Sequence, residues 1–196
     1  MIRQDSFSRI LIILALGFSL YLATFTPTTV IIFPALLLLS GLVMERFLER
    51  RHEAVDDSVM DVSSQKEVLK YTLIALVGIF FMGFLVKVTF PLELHGYDIL
   101  IFGFIIGVAE AQFFRGFITD YLLSTLPSPI LALISSALIF MVYHFAVYGT
   151  NYESLMYVFA GGLILSWVAY KSKRVSPPMI AHGLNNVWAA LMVIHP

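Results

Sequence analysis

The sequence contains no cysteine, and this absence removes several classes of chemistry. Disulfide bonds, iron–sulfur clusters, zinc sites built on thiolates and cysteine nucleophiles are all excluded. Charged residues are also few, at 13% of the 196 residues, and the formal net charge is −1. Because a nucleic-acid-binding protein carries a basic surplus, no nucleic-acid partner is predicted. Any chemistry must come from carboxylates, imidazoles, hydroxyls, amines and amides.

Apolar residues are abundant instead, at 59% of the chain, which is more than a soluble domain carries. Apolar runs of about 20 residues, the helical length that spans ~30 Å of hydrocarbon, recur along the sequence. We predict spans at 9–26, 28–46, 68–90, 97–120, 129–149, 153–170 and 178–195. The predicted fold class is therefore all-α, a polytopic transmembrane helical bundle of seven spans, or eight if the TDYLLSTLPSP region adds a segment.

The longest polar stretch, residues 45–67, joins the second and third predicted spans. It is too short to form a second domain, so we predict a single integral-membrane domain over residues 1–196. The chain shows neither an internal repeat nor a low-complexity segment.

The distribution of lysine and arginine predicts the orientation of the bundle. A cytoplasmic N-terminus places most basic residues on the inner side, namely Arg3, Arg9, Arg46, Arg50, Arg51, Lys66, Lys70, Lys171, Lys173 and Arg174. Lys87 alone falls near the outer side. This asymmetry agrees with the positive-inside rule. We therefore predict an integral protein of a prokaryotic plasma membrane, surrounded by membrane lipids.

Glu110 is the one acidic residue well inside a predicted span, and Arg115 follows it in the same span. An ionised carboxylate within a bilayer costs about 2.5–3.5 kcal/mol on insertion scales, so its retention favours a function. At α-helical spacing the two residues lie roughly 140° apart, which is too far for an ideal i, i+4 ion pair. The alternative is a structural role, in which neighbouring helices satisfy both groups.

Small residues on the same span form a ridge at four-residue spacing, at Gly103, Gly107 and Ala111. Such a ridge lets a neighbouring helix approach closely. Glu110 lies one residue from the ridge, so we expect its side chain to face protein.

Two further motifs place polar side chains on other spans. In FMVYHF, Phe140 and His144 lie four residues apart on one helix face. In AHGLNN, His182 and Asn186 have the same spacing, and both can donate hydrogen bonds to one developing oxyanion. The alternatives are a hydrogen-bonded core histidine and an interhelical polar clamp. Together with Glu110, these residues match the inventory of a site that activates water for hydrolysis.

In these motifs the sequence resembles the CPBP (Abi) family of glutamic-type intramembrane proteases, which includes the type II CAAX-processing endopeptidases and bacteriocin-immunity proteins. The family pattern is Glu-Glu-x-x-x-Arg, then Phe-x-x-x-His, then His-x-x-x-Asn, on successive helices. Here the motifs read EAQFFR, FMVYH and HGLNN. The resemblance defines a CPBP-like catalytic core in residues 97–196, preceded by generic N-terminal helices in 1–96.

The resemblance implies an endopeptidase whose substrate is a peptide or a lipidated protein. It implies that Glu110 and His144 activate the attacking water, while His182 and Asn186 stabilise the tetrahedral oxyanion. A cofactor is not part of this mechanism. Zinc bound by Glu110, His144 and His182 is the alternative, and the lack of a compact metal-binding motif favours metal-independent catalysis.

Arg115 and Phe140 are implied to support the architecture of the site. The chain departs from the family pattern at position 111, where Ala111 replaces the second glutamate. This departure keeps open a degenerate, non-proteolytic member that acts as an immunity or scaffold protein. A third alternative is a small proton-coupled transporter that uses Glu110 as a relay, although no inverted repeat favours it.

The predicted span boundaries place the catalytic candidates at unequal depths. Counting ~1.5 Å per residue puts Glu110 and His182 nearer the inner face and His144 nearer the outer face. Catalytic groups must meet, so either the predicted boundaries are displaced, or the fifth span starts deeper, tilts or is irregular. VYHFAVYGTN is the candidate place for an irregular backbone, which is tolerated where it lines a wet cavity.

Overall fold

The computed structural model describes residues 2, 5–22, 28–49, 62–85 and 98–194, and these residues are almost entirely helical. The helices are α1 (Ser6–Leu22), α2 (Thr28–Glu49), α3 (Val62–Leu85), α4 (Asp98–Ala111), α5 (Thr119–Thr125), α6 (Pro129–Tyr143), α7 (Phe145–Tyr148), α8 (Tyr152–Ser172) and α9 (Ser176–Ile194). The all-α prediction is therefore confirmed for the described residues. Arg3, Arg50, Arg51, Lys87 and the C-terminal residues 195–196 lie outside them.

Among the described residues, three helical stretches are long and apolar enough to cross a membrane. They are Leu100–Thr125, Pro129–Tyr148 and Tyr152–Ser172. Shorter apolar helices occupy Phe7–Leu16 and Pro34–Val43. The three long stretches coincide with the predicted fourth, fifth and sixth spans, whereas the full count of seven stays a prediction.

The first of these stretches, which corresponds to the predicted fourth span, is one continuous helix with a π-helical segment in its middle. α4 passes into π-helical residues Gln112–Ile118 and then directly into α5. In this segment the backbone N–H of Thr119 bonds to the carbonyl of Phe114, five residues earlier. Single π-helical turns inside α-helices are frequent at functional sites, and this one begins two residues after Glu110.

The continuous helix removes the difference in depth that the sequence indicated. It ends at Thr125, not at residue 120, so Glu110 lies 15 residues before its end. His144 lies 15 residues after the start of α6 at Pro129. At about 1.5 Å per residue, both side chains are roughly 22 Å from the turn that joins the two helices. The predicted end of the fourth span was therefore too early.

The predicted irregularity around VYHFAVYGTN is confirmed. α6 ends at Tyr143, His144 separates it from the short α7, and Gly149 adopts a positive φ of 54° that reverses the chain. Asn151 then caps α8, because its side-chain oxygen accepts a hydrogen bond of 3.1 Å from the N–H of Ser154. His144 consequently lies at the end of a helix, beside an open turn.

The small-residue ridge of α4 packs against α9, as predicted. A Cβ atom added to Gly107 would lie 2.7 Å from both Cα and N of Gly183, and one added to Gly103 would lie 3.3 Å from the carbonyl oxygen of Asn186. The two backbones are therefore in direct contact, a packing that small residues permit. This contact brings Glu110 beside the His182 motif.

The N-terminal residues bind to the end of the bundle that lies away from His144. The Ile2 N–H donates a hydrogen bond of 2.6 Å to Asp120 on α5. The Asp5 carboxylate accepts a hydrogen bond from Ser176 and lies 3.6 Å from the Arg174 guanidinium. The start of α1, the end of the long helix and the α8–α9 turn thus lie together at one end.

Candidate active site

A cavity of about 260 Å³ lies between α3, α4, α6, α7, α8 and α9. Most of its wall is apolar or aromatic. All four residues predicted to be catalytic line it, namely Glu110, His144, His182 and Asn186. The structure thus brings together side chains from three separate helices that the sequence could relate only through motif order.

The Glu110 carboxylate lies between the two imidazoles. Its Oε1 atom is 3.9 Å from Nε2 of His144, and its Oε2 atom is 3.4 Å from Nε2 of His182. The side chain is almost fully buried, with the residue 4% exposed. Because the separation from His144 is longer than a hydrogen bond, one water molecule can bridge the two groups.

The orientation of His144 is fixed by its own helix. Its Nδ1 atom donates a hydrogen bond of 2.9 Å to the carbonyl of Phe140, since a carbonyl can only accept. In the neutral ring this leaves Nε2 unprotonated and directed toward Glu110. The ring also packs between Phe140, at 4.4 Å between centroids, and Tyr148, at 6.0 Å. His144 can therefore accept a proton beside the carboxylate.

His182 and Asn186 lie one helical turn apart on α9, on the wall of the same cavity. Nδ1 of His182 is buried without a hydrogen-bond partner among the described residues. Nε2 of the same ring faces the Glu110 carboxylate at 3.4 Å, so Nδ1 is the ring nitrogen left without a partner among these residues. The neighbouring Asn185 also lines the cavity, where its Oδ1 atom accepts a hydrogen bond of 3.0 Å from the Tyr157 hydroxyl.

Arg115 lies behind the cavity wall. It is fully buried, and its guanidinium carbon lies 4.1 Å from the centroid of the Phe140 ring. No hydrogen-bond partner for its three nitrogens occurs within the described part of the chain. The guanidinium also attracts the Glu110 carboxylate electrostatically. Because the intervening turn is π-helical, Arg115 lies nearer the Glu110 face than α-helical spacing predicts.

Position 111 faces away from the cavity. Ala111 is fully buried within an apolar cluster that includes Ile12 and Leu38 from the first two helices. A side chain at this position would enter that cluster and not the cavity. The absence of a second glutamate therefore leaves the cavity wall intact.

Three tyrosines that are not part of the sequence motifs also line the cavity. Tyr143 is the last residue of α6, Tyr148 is the last residue of α7, and Tyr157 comes from α8. The Tyr143 hydroxyl is a hydrogen-bond partner of the Glu110 carboxylate. The adjacency of Tyr143 to His144 in FMVYHF was the one available clue. The Tyr157–Asn185 contact depends on tertiary packing that no local pattern encodes.

We expect Tyr143→Phe to slow hydrolysis at this candidate site by about 10–100-fold, since a hydrogen bond to a charged group contributes roughly 1.5–3 kcal/mol. The substitution keeps the ring and removes only the hydroxyl that holds the carboxylate. Tyr152→Phe is the matched control, because Tyr152 is 76% exposed. Initial rates of the purified proteins check this expectation, and equal rates for both variants would count against a positioning role for Tyr143.

Residues 93–188 match the sequence profile of the type II CAAX prenyl endopeptidase Rce1-like family. The matched segment contains all three motifs and every residue predicted to be catalytic. It is an Rce1-like domain. A comparison with curated proteins and one with solved structures found no match.

The Rce1-like assignment confirms the resemblance, and with the apolar helices it indicates an integral membrane protein. It also points to a membrane-embedded protease. The geometry above adds the arrangement of the motif residues around one cavity. The roles of the individual side chains stay predictions.

Proposed function

We propose that this chain is an intramembrane endopeptidase that hydrolyses a peptide bond with a water molecule activated between Glu110 and His144. The observation that carries the proposal is the pairing of a buried carboxylate with an imidazole nitrogen 3.9 Å away, on the wall of a cavity in an Rce1-like domain. Burial supports this chemistry because electrostatic interactions are stronger away from bulk water.

In the first step, the bridging water gives a proton to Glu110 or His144 while its oxygen attacks the substrate carbonyl carbon. The carbonyl oxygen becomes an oxyanion, and His182 and Asn186 donate hydrogen bonds to it. The carbon–nitrogen bond then breaks, and the departing amine takes the proton. The immediate products are a new carboxylic acid and a new amine. Transfer of the acid's proton to the amine leaves a carboxylate and an ammonium group, so atoms and charge balance without a cofactor.

The proposed substrate is a peptide or a lipidated protein held at the membrane. An apolar cavity wall suits the apolar segment of a prenylated C-terminus, a leader peptide or a sorting tail. We further propose that the remaining helices complete a single seven-span domain.

The experiment is cleavage of a quenched-fluorescent panel by the purified protein. The panel holds farnesylated CAAX, leader-type and sorting-tail peptides. Cleavage of at least one of them supports the proposal. If the folded protein binds a panel peptide and releases no product, a binding or scaffold protein is the better account.

We expect the cleavage rate to be unchanged by a chelator such as EDTA or 1,10-phenanthroline. Among the described residues, no group of three or more histidine, aspartate or glutamate side chains has the arrangement of a metal site. A zinc metalloprotease assayed in parallel shows that the chelator is effective. Loss of activity that added zinc restores would contradict metal-independent catalysis.

A further inference from the structure

The cavity occupies one half of the bundle. Its described lining comes from the end of α3, the beginning of α4, the α6–α8 connection, the beginning of α8 and the later turns of α9. Representative residues are Ile79, Phe102, Val147, Tyr157, Asn186 and Ala190. By their positions along their helices, all of these except Ile79 lie between the Glu110 layer and the end of the bundle that contains residues 144–151. We call this end the His144 end.

On the other side of the Glu110 layer, buried side chains fill the interior of the bundle. Arg115, Phe114 and Met179 are 0–2% exposed. Thr119 and Ser136 lie about 12 Å from the layer of Glu110 and His144, at ~1.5 Å per residue along their helices. Their hydroxyl oxygens are 2.7 Å apart. Ser166 joins both hydroxyls at 3.2–3.3 Å. This buried, mutually hydrogen-bonded cluster closes the cavity on that side.

The closed end is also the basic end. The described lysines and arginines of the helix ends lie there, namely Arg46, Lys66, Lys70, Lys171, Lys173 and Arg174. At the His144 end, the described residues include no lysine or arginine, whereas Glu153 lies there. Since basic residues are retained on the cytoplasmic side, the closed end is cytoplasmic and the cavity extends toward the opposite face.

The chemistry of the lining narrows the substrate further. Glu110 is the one carboxylate among the described lining residues, and they include no lysine or arginine. A charged substrate side chain would therefore lack a partner in most of the cavity, at a desolvation cost that a neutral side chain avoids. The residues next to the cleaved bond are thus expected to be uncharged.

We propose that the site takes its substrate from the extracytoplasmic half of the membrane, and that this substrate is an exported or membrane-anchored peptide with an uncharged segment around the cleaved bond. This inference rests on the proposed protease function. It deepens that function by disfavouring a prenylated C-terminus on the cytoplasmic face, which would have to enter from the closed end.

Single-cysteine labelling tests the sidedness without reference to catalysis. Because the chain has no cysteine, single cysteines can be labelled selectively. Val147→Cys, at a position 47% exposed on the α6–α8 connection, reports on the His144 end, and Lys173→Cys reports on the basic end. Each variant is treated with a membrane-impermeant methanethiosulfonate in right-side-out and in inside-out vesicles. We expect Val147→Cys to react at least tenfold faster in right-side-out vesicles and Lys173→Cys to show the reverse. Faster reaction of Val147→Cys in inside-out vesicles would overturn the proposal.

Cleavage in the same vesicles tests the substrate class. The probe is a panel peptide that the detergent-solubilised protein cleaves, made impermeant by charged tags at both ends. We expect cleavage in right-side-out vesicles, and in inside-out vesicles only after detergent is added. Cleavage in intact inside-out vesicles would overturn the extracytoplasmic site. If the solubilised protein cleaves no peptide, the protease function fails, while the labelling experiment still decides the sidedness.

Discussion

Replacing Glu110 by glutamine is expected to lower the rate of peptide cleavage by about 10²–10⁴-fold, the usual contribution of a general base. Glutamine has nearly the same shape as glutamate, but its amide cannot take a proton from the water proposed to bridge positions 110 and 144. The side chain is buried and lies 3.4–3.9 Å from the two histidines. No other carboxylate lines the described cavity wall to replace it. Peptide binding should change much less than turnover.

The matched control is Glu153→Gln, because Glu153 is an exposed carboxylate in the first turn of α8. It should cleave at the wild-type rate. Glu110→Gln also removes the negative charge near the Arg115 guanidinium, so thermal unfolding of both variants must be measured in the same detergent. A folded Glu110→Gln protein that retains wild-type turnover would exclude Glu110 as the base.

The second large effect is expected for Gly107→Ala. The added Cβ atom would lie 2.7 Å from backbone atoms of Gly183 and 2.8 Å from the carbonyl carbon of His182. Real Cβ atoms do not approach backbone this closely, so α4 and α9 must separate. Overpacking of this kind costs about 1–3 kcal/mol or more. Because α9 carries His182, the separation also moves the imidazole away from Glu110 and should reduce cleavage strongly.

Gly161→Ala is the control for stability, since no heavy atom lies within 4 Å of a Cβ atom built at that position. Apparent melting temperatures of the two variants, measured at equal protein and detergent concentrations, compare their stabilities. We expect a clear decrease for Gly107→Ala alone. Equal melting temperatures and equal cleavage by Gly107→Ala and the wild type would contradict the close α4–α9 contact.

The helical class and the position of Glu110 could be predicted because membranes restrict the choices. Long apolar runs can satisfy their backbone in a bilayer only as helices or closed barrels. The ridge at Gly103 and Gly107 then identified the face that packs against protein, and the burial of Glu110 agrees. The three motifs supplied the candidate site, since motif order is a property of the sequence itself.

The geometry of the site could not be predicted at the same level. A π-helical turn depends on packing and leaves no reliable local pattern, so the phase of Arg115 relative to Glu110 was counted with the wrong period. The end of the long helix was placed too early, which displaced Glu110 from His144 in depth. The Tyr157–Asn185 contact joins two helices that only the tertiary fold brings together.

The most direct test of the account is product analysis of the wild-type protein in H₂¹⁸O with a chelator present. Peptides of the panel are incubated with the purified protein, and the fragments are identified by mass spectrometry. Water-mediated hydrolysis predicts cleavage at a defined bond with one ¹⁸O atom in the new C-terminal carboxylate, and no such product from Glu110→Gln. Peptides that bind the folded wild-type protein and yet remain intact would contradict the central claim.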